Sequence, residues 1–179
     1  VFIELSETVL GGAEQALLQR EADLAISPIV PPGFFGDPLM RLRFIAVAAP
    51  EHPLHALNRE LTGHDLRRHR QLVIRNSDPE RAREAGWLGA QTRWTVSNKA
   101  TSIRAACMGL GFAWYAEGMI RDELASGALK PLPLREGSER YVELYLILPD
   151  PEYAGPGTRR LAQLLSGAAQ PDHTSGHPA

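Results

Sequence analysis

The sequence is poor in several things, and each shortage removes a class of function. Cys107 is the only cysteine among 179 residues, so no intrachain disulfide can form, and the chain is expected in a reducing, cytoplasmic setting. Basic charge is not in surplus: 19 Lys and Arg stand against 21 Asp and Glu, giving a net charge of −2 and a pI near 6.3. A free-standing nucleic-acid-binding domain carries a basic patch and a high pI, so these residues are not expected to bind DNA or RNA by themselves. No apolar run approaches the ~18–20 residues needed to cross a bilayer, and no membrane contact is expected. The opening VFIELSETVL has no basic segment leading into a long apolar core, so an export signal is not visible. It begins in a β-like run without methionine and reads as a fragment of something longer.

Recognisable catalytic patterns are also missing. There is no GxxxxGK[ST] phosphate loop, no GxSxG nucleophile elbow and no HExxH zinc helix. Gly109–Phe112 (GLGF) lacks a third glycine and follows a helix, which makes it a helix stop and not a dinucleotide fingerprint. His52, His55, His64 and His69 lie close together, but no pair has the i, i+4 spacing of a helical metal face, and they read as exposed loop histidines. Cys107 falls on an apolar helix stripe and has no second cysteine to resolve an oxidised form, so it reads as a small buried hydrophobe. Glu4, Glu7, Asp23 and Glu117 form no catalytic pair, and Asp23 is expected to bond backbone amides at a strand end. No enzymatic activity, metal or cofactor is expected.

What is present is an alternation of short strands and helices in an ordinary composition, 44% hydrophobic and 22% charged, which fits one compact domain or two small lobes. Strands are expected at 2–5, 22–26, 43–50, 71–75, 92–96, within 111–117, at 128–134 and at 141–149. The nearly continuous apolar run at 43–50 fits a strand covered on both faces. Helices are expected at 8–20, 62–69, 78–86, 98–109, 117–126 and from Pro156 to Leu165, with a Pro/Gly-rich connection at 27–39. Thr62 and Asp65 have capping-box spacing, and Ser97 or Asn98 can cap the fourth helix. Ile103, Ala106, Cys107 and Leu110 form that helix's apolar stripe, and Gly109 and Gly111 stop it. This pattern indicates an α/β fold with a mostly parallel sheet.

Four segments, in order over roughly 150 residues, resemble the effector-binding domain of LysR-type transcriptional regulators: LLQREADLAIS, RFIAVAAPEHPL, RWTVSNKATSIRAACMGLGFAWYAEGMI and ELASGALKPLPL. The resemblance implies a two-lobed fold of the type 2 periplasmic-binding-protein kind, with two crossing strands and an effector held between the lobes. It places lobe I at 1–46 and 118–170 and lobe II at 47–117; the Gly/His/Pro-rich tail, 171–179, is expected to be disordered from its composition. The resemblance makes 43–50 the outgoing crossing and 111–117 the return. It also implies a homodimer or homotetramer, and DNA contact only through a separate winged helix-turn-helix domain. This sequence lacks that domain, its linker helix and the strand and helix with which the family's effector domain begins. A solute-binding protein of a transport system would share the fold and is the alternative.

In open α/β sheets ligands bind beyond the carboxyl ends of the strands. That rule selects Glu7 and Thr8, Ser27 and Pro28, then Arg75, Asn76 and Ser77, and finally Ser97, Asn98, Lys99 and Thr101. Trp114 and Tyr115 are expected to wall the cleft. A helix N-terminus after Ser97, with Arg75 and Lys99 beside it, favours a small anion, expected to be a carboxylate.

Overall fold

The computed structural model describes residues 2–8, 12–75 and 89–169. The expected helix at 78–86 and the expected disordered tail lie outside the described residues. The chain divides into two compact units, Val1–Arg41 with Glu143–Ala179, and Leu42–Val142. Two strands pass from one unit to the other: β2 (Gly36–Ala48) and β7 (Glu139–Ile147).

In the first unit α1 (Gly12–Leu18) precedes β1 (Ala25–Ser27), which pairs antiparallel with β7 through Ala25↔Ile147 and Ser27↔Tyr145. Leu17, Ala25 and Ile147 form its buried core. α6 runs from Pro156 to Ala169, four residues beyond the expected end at Leu165, and buries no residue completely. The expected strand at 2–5 does not form, and Phe2, Ile3 and Leu5 are exposed. Alternation supplies a strand with a face, but a strand persists only beside a neighbour, and none pairs with it among the described residues. β2 begins seven residues before the expected Arg43, inside the Pro/Gly-rich stretch.

The second unit contains α2 (Pro53–Ala56), α3 (Gly63–Arg67), β3 (Arg70–Ile74), β4 (Thr92–Val96), α4 (Lys99–Cys107), β5 (Ala113–Ala116), a 3₁₀ turn (Glu117–Ile120), α5 (Arg121–Ala125) and β6 (Lys130–Pro131). β2 pairs antiparallel with β5, Phe44↔Ala116 through Val47↔Ala113, and with β6 at Val47 and Ala48. The segments expected to cross, 43–50 and 111–117, therefore lie side by side. Ile45 and Val47 enter one apolar cluster with Tyr115 and Ile120, while Ala46 and Ala48 enter another with Leu54 and Phe112. That alternation is the two-face burial expected of the continuous apolar run.

The mostly parallel sheet is corrected: among the described pairs with a defined register, only β3–β4 is parallel, in a separate two-stranded sheet. β5 and β6, which pair antiparallel with β2, arrive from far along the chain, and the alternation of strands and helices in sequence does not reveal the direction in which they return. The histidine reading is also corrected for His52, which is 5% exposed. Its Nδ1 accepts the Leu54 N–H at 3.2 Å, capping α2, and its ring centroid lies 5.2 Å from that of His69. No helix among the described residues is long and apolar enough to cross a membrane.

Candidate functional site

The carboxyl ends of β3 and β4 coincide because the two strands pair in parallel, ending at Ile74↔Val96. One further bond, from the Arg75 N–H to the Val96 carbonyl at 2.7 Å, holds Arg75 beside the point where Ser97 leaves β4. The chain then turns into α4. Asn98 is its N-cap, extended at φ −107° and ψ 127°; its Oδ1 accepts from the Thr101 N–H at 2.9 Å and lies 3.3 Å from the Thr101 hydroxyl. Capping at the third helical residue leaves the partial positive charge of the first turn in place. The structure thus brings Arg75, Ser97, Asn98, Lys99 and Thr101 to one end of the β3–β4 pair.

Two interactions hold α4 at this position. Ser102, fully buried one turn into the helix, shares a 2.7 Å hydrogen bond with the Tyr115 hydroxyl on β5. Burial pushes the Tyr115 hydroxyl up to about 12, against a smaller opposing effect of the Ser102 bond, so it stays protonated. At the far end, Gly109 takes a left-handed φ of +72°, and its N–H and that of Leu110 close the helix on the Ala106 and Ala105 carbonyls. Gly111 answers a different need, since a Cβ there would sit 2.6 Å from the Arg70 carbonyl oxygen. That close approach lets Phe112 bond β3 on both sides, to the Arg70 carbonyl at 3.0 Å and from the Leu72 N–H at 2.9 Å.

The remaining candidates are placed differently. Tyr115 is 1% exposed and belongs to the core, so it positions α4 and does not wall an open surface. Trp114 is half-buried, packs edge-on against Phe112 and donates its indole N–H to the Gly137 carbonyl at 2.9 Å. In the first unit Ser27 ends β1, is buried, and accepts the Ile29 N–H at 3.1 Å, with half-buried Pro28 next to it. Glu7 and Thr8 are exposed in a segment without regular structure, although Thr8 packs so closely on Gly12 that a Cβ there would lie 2.6 Å away. Asn76 and Ser77 lie outside the described residues. Asp23 is exposed, and its carboxylate takes no amide hydrogen bond among the described residues, contrary to its expected strand-end role.

Ser102 was not among the expected site residues. Its signal was its i−4 spacing from Ala106: α4 buries Ser102 and Ala106 most deeply, and leaves Ile103 and Cys107 at the edge of the cluster. Ile103, Ala106 and Cys107 of the expected stripe do pack on the core, and Ser102 extends that face by a polar residue that apolar periodicity does not pick out. Among the described residues no three His, Cys, Asp or Glu side chains are placed to hold a metal ion.

A family model described as the LysR substrate binding domain matches residues 1–170. The chain is 29% identical over 136 residues to the probable HTH-type transcriptional regulator YhaJ of Escherichia coli (strain K12), covering 73% of this chain and 46% of that protein. It therefore spans about half the length of the curated relatives it matches. ArgP from Mycobacterium tuberculosis has a TM-score of 0.75 at 18% identity, over 93% of this chain and 58% of that one. The CcmR regulatory domain of Synechocystis PCC6803, in complex with 2-PG, has a TM-score of 0.73 at 15% identity, over 91% and 81%. The effector binding domain of QuiR, in complex with shikimate, has a TM-score of 0.69 at 16% identity, over 90% and 78%. These structures share the periplasmic-binding-protein-like α/β fold that the sequence resemblance implied.

Proposed function

The chain belongs to the LysR substrate-binding domain family, and on that premise we propose that it is the effector-sensing part of a LysR-type transcriptional regulator whose ligand is a small anion, a carboxylate in the first instance. The observation that supports the anion is the convergence of Arg75, Lys99 and the amino-terminal turn of α4 at one end of the β3–β4 pair. A guanidinium and an ammonium add to the helix-end field, and hydroxyls of Ser97 and Thr101 can complete a carboxylate's hydrogen bonds. The fold accommodates small polar ligands in relatives, 2-PG in CcmR and shikimate in QuiR.

The regulatory step we propose is a population shift. Effector binds one arrangement of a homodimer or homotetramer better than another, and the change reaches a winged helix-turn-helix domain elsewhere in the cytoplasmic full-length protein. A thermal-shift screen of this chain against small carboxylates tests the reading. A ligand at ~100 times its Kd adds about 2.7 kcal/mol, a midpoint rise of several degrees. Arg75→Ala and Lys99→Glu are each expected to abolish that rise. Undiminished affinity in both variants would remove the anion seat.

A further inference from the structure

A cavity lies wholly within the first unit, where α1 ends, β1 begins and β7 gives way to α6. Its volume is about 380 Å³, in the range of small-molecule sites, about 300–1,000 Å³. Leu17 and Phe34 give it an apolar floor, and its rim carries Arg20, Asp23, Asp150 and Tyr153. The charged groups of Arg20, Asp23 and Asp150 form no ion pair with one another or with any described residue. Exposed residues of both charge signs therefore line one cavity without pairing.

Arg20 is also an unusual residue for its position. α1 closes with the Arg20 N–H on the Leu17 carbonyl at 3.2 Å and the Glu21 N–H on the Ala16 carbonyl at 2.8 Å, and Arg20 has a left-handed φ of +56°. Glycine is the usual residue at this point of such a helix end. α4 has glycine there, Gly109 at φ +72°, and α5 is likewise followed by Gly127 at φ +75°. In α1 the position is held by Arg20, a residue that lines the cavity.

We propose that this cavity binds a free α-amino acid with an apolar or aromatic side chain, as a site distinct from the anion seat at α4. Arg20 takes the α-carboxylate, Asp23 and Asp150 take the ammonium group, and the side chain lies over Leu17 and Phe34 under the Tyr153 ring. A simple carboxylate would meet two carboxylates without a compensating ammonium. A simple amine would leave Arg20 unmatched. Only a ligand with both charges satisfies the rim.

The test is isothermal titration of the 179-residue chain with L-phenylalanine and L-leucine, and with N-acetyl-L-phenylalanine and L-phenylalaninamide as single-charge controls. Binding of at least one amino acid is expected, with each control at least tenfold weaker than phenylalanine. Arg20→Gly should weaken binding at least tenfold while raising Tm, because glycine relieves the left-handed backbone; Asp150→Asn should weaken it with Tm unchanged. Arg75→Ala, at the other site, should leave it unaltered. The proposal is overturned if neither amino acid binds, if Arg20→Gly and Asp150→Asn bind like the parent, or if Arg75→Ala abolishes binding, which would assign the ligand to α4.

Discussion

Acid should weaken the second unit through His52. Its ring is buried, caps α2 through Nδ1, and faces His69 at 5.2 Å and His55 three residues on. Burial, then the neighbouring His69 and His55, lower its pKa from 6.5 to about 4. His69 is shifted the same way by burial, with Asp65 pulling against it. In the unfolded chain the imidazole takes a proton near pH 6.5, whereas in the folded chain it resists until about pH 4. Stability is therefore complete above pH 6.5 and falls as pH drops towards 4. At 1.36 kcal/mol per tenfold, the full difference is about 3 kcal/mol. Urea unfolding at intervals from pH 7.5 to 4.5, followed by tryptophan fluorescence, would read the slope. His52→Asn keeps an N-cap acceptor but cannot titrate in this range. It should be less stable at pH 7.5 and show a visibly flatter decline. An unchanged slope in His52→Asn would refute the assignment of the acid sensitivity to this ring.

Other substitutions test the scaffold of the second unit. Tyr115→Phe should cost about 1–2 kcal/mol in thermal or urea unfolding, because it leaves the buried Ser102 hydroxyl without its partner. Adding Ser102→Ala should recover part of that loss, giving a non-additive double-mutant cycle. Gly111→Ala should destabilise more than Gly109→Ala: the first drives a Cβ to 2.6 Å from the Arg70 carbonyl, while the second meets no atom and costs about 1 kcal/mol of backbone strain. Equal effects would mean that the approach at Gly111 relaxes freely. Asp65→Ala should lower stability by about 1 kcal/mol, since the carboxylate accepts from the Thr62 N–H at 2.8 Å and its hydroxyl at 3.0 Å. Acid below the usual carboxylate range should be needed to mimic it, because Arg59 holds that carboxyl well down.

Local features were legible where one physical rule decides them. The cap at Asn98, the Thr62–Asp65 spacing, the glycine stop after α4 and the two-face burial at Ile45–Ala48 each follow from a few neighbouring residues. Partnership between distant segments was not legible. Nothing in 43–48 announces that 113–116 will lie antiparallel beside it, and the alternation of Phe2–Leu5 does not say that no neighbour joins it among the described residues. Burial of polar groups was equally hidden: His52 reads as a turn residue and Tyr115 as a wall until their hydrogen bonds to Leu54 and Ser102 are seen. At the candidate site, the strand-end rule selects Arg75, Ser97, Asn98, Lys99 and Thr101, and the structure places them at one end of the β3–β4 pair. The rule does not reveal which side chains are occupied in holding the scaffold, as Asn98 is in capping α4.

The cap of α4 is an amide, and one atom's difference there has consequences for charge. Aspartate would serve the Thr101 N–H at least as well, and its negative charge would favour the helix end further. It would also place a negative charge where the proposed anion would bind, turning an attractive helix end into a repulsive one. Asparagine separates the two duties, satisfying the hydrogen bond while adding no charge. The helix thereby forgoes some of its own stability and leaves the positive field of its first turn uncancelled, which is what the proposed anionic effector requires.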